Sequence, residues 1–176
     1  MFDTIISLGV IALQIATVVI VIAWAVKAPL AYWVSRNASW ILRVVFTGAT
    51  IGSLVYSNVL GFAPCILCWY QRLAIFPVAL LSYTGNLSRS ALLRLQVLLF
   101  SSAGLAIALF HKYIELFPKS GLTVCGTDGI ACDTLYVLKF GYITIPMMSL
   151  TVLLFGVILS LLASRFPQQE IAPSNS

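Results

Sequence analysis

Five apolar stretches, each close to the length that crosses a bilayer, dominate this chain of 176 residues. They occupy residues 4–26, 41–62, 65–83, 91–110 and 142–163. A helix needs about 20 apolar residues to cross the hydrocarbon core. Helices are the expected form, because lipid offers no partner for an unpaired backbone amide and because these runs are continuous, not alternating. Only 9% of the residues are charged, so the sequence predicts an all-α integral membrane protein without a separate soluble domain.

The basic residues are concentrated in alternate connections between these stretches. Six of them follow the first, third or fifth stretch or begin the next one: Lys27, Arg36, Arg43, Arg89, Arg94 and Arg165. The positive-inside rule places these connections in the cytoplasm. The outer side then holds all four cysteines and the loop 112–141, whose three lysines and three acidic residues cancel. The net charge of +5 therefore reports topology and does not indicate a nucleic-acid partner.

The two ends of the chain are interpreted differently. The first stretch is taken as a retained helix with its N-terminus outside, because "MFDT" has no basic residue and the apolar run exceeds that of a signal peptide. Cleavage after Ala23–Trp24–Ala25, which loosely resembles a signal-cleavage site, stays an open alternative. The polar segment 166–176 is expected to be a disordered cytoplasmic tail.

The four cysteines form two pairs, Cys65/Cys68 and Cys125/Cys132. Outside a bacterial-type membrane the compartment is oxidising, so such thiols are expected to pair or to be used. The first pair is a C-x-x-C at a predicted helix start, where unsatisfied amides and the helix dipole favour a thiolate. Arg72 follows Cys68 by four residues and shares its helical face. A cation in a membrane helix usually marks function, and here it would stabilise a Cys68 thiolate or the anion on a reduced acceptor.

Electrons that leave these thiols need an acceptor. Trp69 follows the second cysteine, so the pair is not a haem-attachment C-x-x-C-H, and the chain has no dinucleotide-binding fingerprint. A lipid-soluble quinone remains as the natural acceptor. Its expected site lies between helices at the membrane surface, beside aromatic residues such as Trp69, Tyr70 and Phe62.

Two quoted segments carry a resemblance to a known family. "PCILCWYQR" (64–72), followed by a cysteine pair in a loop and then by "KFGYITIPMMSL" (139–150), resembles the DsbB/BdbC family of membrane disulfide-bond-formation proteins. The resemblance covers about residues 40–165, and the short C-x6-C spacing with Gln71 resembles the BdbC branch. It implies an oxidoreductase in the bacterial cytoplasmic membrane that reoxidises an extracytoplasmic thioredoxin-fold, DsbA-like dithiol oxidase and passes two electrons to quinone, either ubiquinone or menaquinone.

The resemblance also implies a role for each cysteine. Cys125 matches the loop cysteine that the partner's thiolate attacks, and Cys132 would be its resolving mate. Cys65 would exchange with the loop pair. Cys68 would form an adduct or a charge-transfer contact with the quinone. The loop must then be mobile, which its glycines favour: Gly121, Gly126 and Gly129.

The quinone side of the site is implied in the same way. Arg72 matches the family arginine beside the quinone, and His111 lies where the family often has a histidine on the quinone side. Trp69 adds an aromatic ring next to the second cysteine. The resemblance thus gives Cys68, Arg72, His111 and Trp69 as cofactor-binding residues and no metal site.

The expected organisation is a four-helix redox bundle over residues 39–165, with the outer loop 112–141. Residues 1–38 would form an additional N-terminal transmembrane helix and its cytoplasmic connection. The four-helix core of the family has no counterpart to this helix. It is expected either to pack outside the bundle or to be a lineage-specific addition.

Less specific interpretations remain open for several features. The cysteines would also suit structural disulfides or a zinc site in a non-enzymatic membrane scaffold or assembly subunit. Arg72 would also suit snorkelling to the headgroups, and His111 would suit plain interfacial packing. Gly48 and Gly52 form a G-x-x-x-G that predicts close helix packing. Pro146 is expected to kink the last helix.

Overall fold

The computed structural model describes residues 2–117, 132 and 135–166. The predictions for Cys125, for the loop glycines and for the tail beyond residue 166 lie outside these residues. Helices are the regular secondary structure of the described part, which otherwise has turns, irregular connections and an isolated bridge between Lys139 and Ile143, and this confirms the predicted all-α class. The helices are α1 (Phe2–Ala25), α2 (Pro29–Arg36), α3 (Ala38–Leu54), α4 (Ile66–Leu81), α5 (Ala91–Leu116) and α6 (Ile145–Arg165).

A π-helical turn (Val55–Val59) continues α3 without a break. Among the described residues, four helices are long and apolar enough to cross a membrane: α1, α3 with its π-helical turn, α5 and α6. Helix α4 is equally apolar but has only 16 residues, a length of about 24 Å at 1.5 Å per residue. These helices confirm the multi-pass membrane protein that the apolar stretches predict.

Two helix boundaries differ from the prediction. Helix α5 runs on to Leu116, six residues past the predicted end, so Lys112 and Glu115 are helical and do not belong to the outer loop. Helix α6 begins at Ile145, three residues late, and Pro146 lies in its first turn. A proline there removes no helical hydrogen bond, so the predicted kink at Pro146 is wrong.

Glycines bring three helices together near the middle of the bundle. A Cβ added to Gly104 of α5 would lie 2.5 Å from the Cβ of Ala74 on α4. A Cβ added to Gly156 of α6 would lie 2.7 Å from the Phe46 ring of α3. Small residues let helix backbones approach closely where lipid supplies no hydrophobic drive between helices. These contacts fix α3 to α6 as one packed unit with Leu42, Val78, Val97, Leu153 and Leu159 in its core.

The predicted packing role of the G-x-x-x-G on α3 is wrong. A Cβ at Gly48 would have nothing within 4 Å, and one at Gly52 would touch only the Ile6 side chain, at 3.8 Å. A gap separates this face of α3 from α1.

Helix α1 packs along α6 and does not stand apart from the bundle. The Gln14 amide donates to Thr151 Oγ1 (3.0 Å) on α6. Its carbonyl oxygen accepts a hydrogen bond from Tyr142 Oη (2.8 Å), just before α6. A polar side chain in lipid is costly unless it is paired, so Gln14 fixes α1 against α6 at this position.

Two arginines donate hydrogen bonds to backbone oxygens of the connection between α4 and α5, at one end of the bundle. Arg43 Nε donates to the backbone oxygen of Ser82 (2.7 Å), and its guanidinium lies over the Tyr83 ring, 5.5 Å from the centroid. Arg94 Nη1 donates to the backbone oxygen of Ser88 (3.1 Å). The helix directions place the six basic residues of the alternate connections at this end. The described cysteines lie at the other.

Candidate redox site

The first cysteine pair opens α4. Cys65 is the N-cap residue, in an extended conformation after Pro64, and Cys68 lies in the first turn of the helix. Both are free thiols, with Cys65 buried and Cys68 partly exposed. Cys65 Sγ donates to Cys68 Sγ at 3.4 Å. Because Cys65 is the extended N-cap and Cys68 lies in the first turn that follows, the two sulfurs lie next to each other.

The second pair is represented by Cys132, which is buried and disulfide-bonded. Its Sγ, the Sγ of Cys65 and a ring nitrogen of His111 all lie within 4.8 Å of one another. Residues that are 67 positions apart in the chain therefore meet at the start of α4. Thiol–disulfide exchange requires a direct approach of one sulfur to another, and this arrangement supplies it between Cys65 and Cys132.

His111 is buried, with 2% of its surface exposed, so the interpretation as interfacial packing does not describe its surroundings. The Gln71 amide donates to Nδ1 (3.0 Å). Nε2 lies 3.1 Å from the backbone oxygen of Cys132 and 3.8 Å from Cys65 Sγ. Since Nδ1 accepts and the carbonyl oxygen can only accept, Nε2 carries the proton of the neutral ring. His111, on α5, thus contacts a residue of each cysteine pair and is hydrogen-bonded to Gln71 on α4.

Arg72 is held inside the bundle, with 9% of its surface exposed. Its Nε donates to Ser53 Oγ (2.9 Å) and its Nη2 to the Ser53 backbone oxygen (3.0 Å), both on α3. The π-helical turn begins two residues after Ser53, and such turns are frequent at functional sites. These contacts fix the guanidinium one turn after Cys68, which does not support the interpretation of Arg72 as a snorkelling residue.

Trp69 has a different position from the one predicted. Its ring is 52% exposed and lies outside the cavity described below. The ring instead packs on the Arg72 guanidinium, 5.1 Å from centroid to Cζ. A cation–π contact of this kind orients the guanidinium from the outside. Trp69 therefore reaches the candidate site only through Arg72.

A cavity of about 620 Å³ opens beside these groups. Its redox end is lined by Cys65, Cys68, Gln71, Arg72, His111 and Cys132. The aromatic rings around it are those of Tyr56, Phe62 and Tyr136, of which only Phe62 was predicted, whereas Tyr70 is exposed. Phe62 stacks between the other two, at 5.9 Å from Tyr56 and 5.1 Å from Tyr136. Apolar walls with a few convergent polar groups are typical of cofactor sites.

An ion pair reaches the same cavity. Lys112 Nζ donates to Glu115 Oε1 (2.9 Å), and the side chain of Glu115 is 7% exposed. Thr144 Oγ1 donates to the other carboxylate oxygen (2.9 Å). The sequence assigned these charges to the outer loop, because the apolar run ends at Phe110. An i, i+3 pair of opposite charges was the available signal that α5 continues.

Sequence reasoning did not predict that Gln71 and Ser53 belong to the site. Gln71 was treated only as a feature of one branch of the family, although an amide in an apolar helix is itself a signal for a buried hydrogen bond. Ser53 carries no such signal, because serine is common where helices pack in membranes.

The described residues that would suit a metal ion are Cys65, His111 and Cys132. Cys132 is disulfide-bonded, and zinc binds thiolates rather than disulfide sulfurs. In this oxidation state the group does not fit a zinc site.

Comparison with known proteins gives one consistent result. A family model described as "Disulfide bond formation protein DsbB" matches residues 35–164. A "Probable disulfide formation protein C" of Halalkalibacterium halodurans is 34% identical over 129 residues, which cover 72% of this chain and 90% of that protein. The "Disulfide bond formation protein C" of Bacillus subtilis is 32% identical over 122 residues, 69% of this chain and 86% of that protein. No solved structure matches the chain.

Proposed function

The chain belongs to the DsbB family of disulfide bond formation proteins, and on that premise we propose that it oxidises an extracytoplasmic thioredoxin-fold dithiol protein and passes the two electrons to membrane quinone. The family and the helices establish a multi-pass membrane protein of disulfide formation. The observation that carries the finer proposal is the meeting of Cys65, Cys132 and His111 at the wall of an apolar cavity.

The first step of the proposed reaction is exchange at the loop pair. A thiolate of the partner attacks Cys125. The Cys125–Cys132 bond breaks, and Cys125 and the partner are joined by a mixed disulfide. The partner's second thiolate then displaces Cys125 from the mixed disulfide. The partner leaves with its two sulfurs joined as a disulfide. Cys125 and Cys132 keep the two electrons as a dithiol.

The second step moves the electrons to the C-x-x-C pair. In the oxidised Cys65–Cys68 pair, Cys65 is the sulfur that the Cys132 thiolate would attack, because the two Sγ atoms lie within 4.8 Å of each other. This attack forms a Cys65–Cys132 disulfide and releases Cys68 as a thiolate. The Cys125 thiolate then attacks Cys132, displaces Cys65 as a thiolate and restores the loop disulfide. The structure has free Cys65 and Cys68 thiols beside a disulfide-bonded Cys132, which is the state expected after this step.

The third step reduces the quinone. Two thiols and one quinone give one disulfide and one quinol, so both electrons and both protons are accounted for. Arg72 would stabilise the Cys68 thiolate and the negative charge that develops on the quinone. Cys65, whose sulfur lies 3.4 Å from that of Cys68, closes the disulfide. His111 would position Cys65 through its contact with the sulfur and with the backbone of Cys132.

The orientation in the membrane is part of the proposal. The six basic residues of the alternate connections lie at the end of the bundle opposite the cysteines, and the positive-inside rule assigns that end to the cytoplasm. Both cysteine pairs would then face the oxidising side, where a dithiol partner has access. The alternative of a scaffold with structural disulfides differs in its chemistry, because added dithiol and quinone would leave its cysteines unchanged.

The test uses the purified protein in lipid nanodiscs with a reduced thioredoxin-fold dithiol protein. Oxidation of the dithiol beyond the equivalents that the enzyme's own disulfides accept should require added quinone. Cys68→Ser should abolish quinone reduction and accumulate a Cys65–Cys132 disulfide, detectable by mass spectrometry of peptides. The matched variant Cys65→Ser should also be inactive, and its loop pair should accumulate in the reduced state. Multiple-turnover oxidation of the dithiol without quinone, or a Cys68→Ser variant with full activity, would contradict the proposed function.

A further inference from the structure

Helix α1 lies outside the family match, which begins at residue 35, and yet it forms one wall of the cavity. Its lining residues are Ile6, Gly9, Val10, Ala12, Leu13 and Ala16. The opposite wall belongs to α3, through Val44, Val45, Gly48, Ala49 and Gly52. Every side chain in these two sets is apolar. This part of the cavity, called the α1/α3 groove below, therefore offers contacts to hydrocarbon only.

The α1/α3 groove is much longer than a quinone ring. The lining of α1 extends over eleven residues, from Ile6 to Ala16, and the ten steps of 1.5 Å between them make it about 15 Å long. The lining of α3 extends from Val44 to Tyr56, which is about 18 Å. Arg72 and the cysteines occupy only the end nearest Tyr56. A ring bound beside them leaves most of the groove free for a long apolar chain.

The α1/α3 groove is also open to the side. Gly9 and Gly48 are exposed, and a Cβ added to either would meet nothing within 4 Å. The two helices therefore stand apart, and the gap faces the position of the surrounding lipid. Helix α1 keeps this distance because Gln14 bonds it to Thr151 and Tyr142 on its other side. A lipid-soluble molecule would enter through this gap without crossing water.

We propose that the α1/α3 groove binds the isoprenoid tail of the quinone and aims its ring at Cys68 and Arg72. The inference rests on the proposed function, and the continuity of the groove with the redox end favours this occupant over an unrelated acyl chain. The tail leaves lipid for surroundings that are equally apolar, so the groove gains little from the hydrophobic effect. Its contribution is orientation, because a held tail fixes the ring near the reacting sulfur.

The test fills the α1/α3 groove and compares two quinones. Gly9→Leu and Gly48→Leu add bulk where the structure has space, and leucine favours a helix over glycine. We expect the ratio of KM for a long-tailed ubiquinone to KM for a tail-less benzoquinone to rise at least fivefold in both variants. Ala106→Leu is the matched control, since Ala106 is exposed on α5 away from the cavity. Its ratio should equal that of the unaltered protein.

An unchanged ratio in both glycine variants would overturn the tail-binding role while leaving the proposed function intact. Failure of the unaltered protein to reduce either quinone would overturn both. A second measurement does not depend on variants: a quinone with a photoreactive group on its tail should label peptides of residues 6–16 and 44–52. Labelling of these peptides by a photoreactive phospholipid that added quinone does not displace would assign the groove to lipid and contradict the inference.

Discussion

Replacement of Arg72 by methionine tests the electrostatic part of the proposed reaction. Positions four apart on a helix have Cβ atoms about 5–6 Å from each other. At an effective dielectric constant of about 20, unit charges at this distance attract by about 3 kcal/mol. Since about 1.4 kcal/mol changes a rate tenfold, loss of the guanidinium beside Cys68 should slow quinone reduction by about 100-fold. Exchange between the dithiol partner and the loop pair should keep its rate.

The assay is a single-turnover measurement in nanodiscs, with reduced enzyme mixed anaerobically with quinone and the loss of quinone absorbance followed over time. Arg43→Met is the matched control, because Arg43 also donates to a backbone oxygen and also lies over an aromatic ring, but at the opposite end of the bundle. It should lose stability without a change in the rate constant. A decrease of less than threefold for Arg72→Met would refute the assignment of charge stabilisation to this residue.

Three further predictions concern the described contacts. Gly104→Ala should lower the free energy of unfolding by about 1–3 kcal/mol, because the added Cβ would lie 2.5 Å from the Cβ of Ala74. Gly48→Ala should be neutral or stabilising, because its added Cβ has nothing within 4 Å. Chemical unfolding in detergent measures both variants, and equal effects would contradict the close packing at Gly104. Glu115→Gln should lower the free energy of unfolding by about 2 kcal/mol, because Lys112 loses its charged partner and keeps its hydrogen bond to Thr144. Lys112→Met in that background should recover part of the loss in the same assay. Gln14→Leu should loosen α1 and increase the rate of proteolytic cleavage between α1 and α2, and an unchanged rate would show that the Gln14 contacts do not hold the helix.

The fold class and the first cysteine pair were accessible from sequence for a simple physical reason. Long apolar runs admit few structures in lipid, and a C-x-x-C after a proline at a helix start leaves the thiols few possible positions. The approach of Cys132 to Cys65 was accessible only through the family resemblance, since no local pattern links residues 67 positions apart. The cytoplasmic and outer assignments and the division into residues 1–38 and 39–165 stay predictions.

The predictions were wrong at positions where hydropathy and tertiary packing indicate different structures. Hydropathy ended the fourth span at Phe110, whereas the pairing of Lys112 with Glu115 supports two further turns. The G-x-x-x-G of α3 lies on a cavity, and the glycines that do allow close packing, Gly104 and Gly156, stand alone in their helices. The cofactor-binding role expected for Trp69 stays a prediction, and its ring lies against the Arg72 guanidinium.

The concentration of the redox groups at one end of the bundle has an energetic consequence. Gly104 and Gly156 close the helices at mid-depth, beneath the thiols and the guanidinium. In the proposed reaction, the protons that the dithiol loses and those that the quinol gains are then exchanged on the same side. Carrying one elementary charge across a membrane costs about 2.3 kcal/mol per 100 mV, and an electroneutral turnover avoids that cost. The protein would form disulfides at the same rate in energised and in depolarised cells.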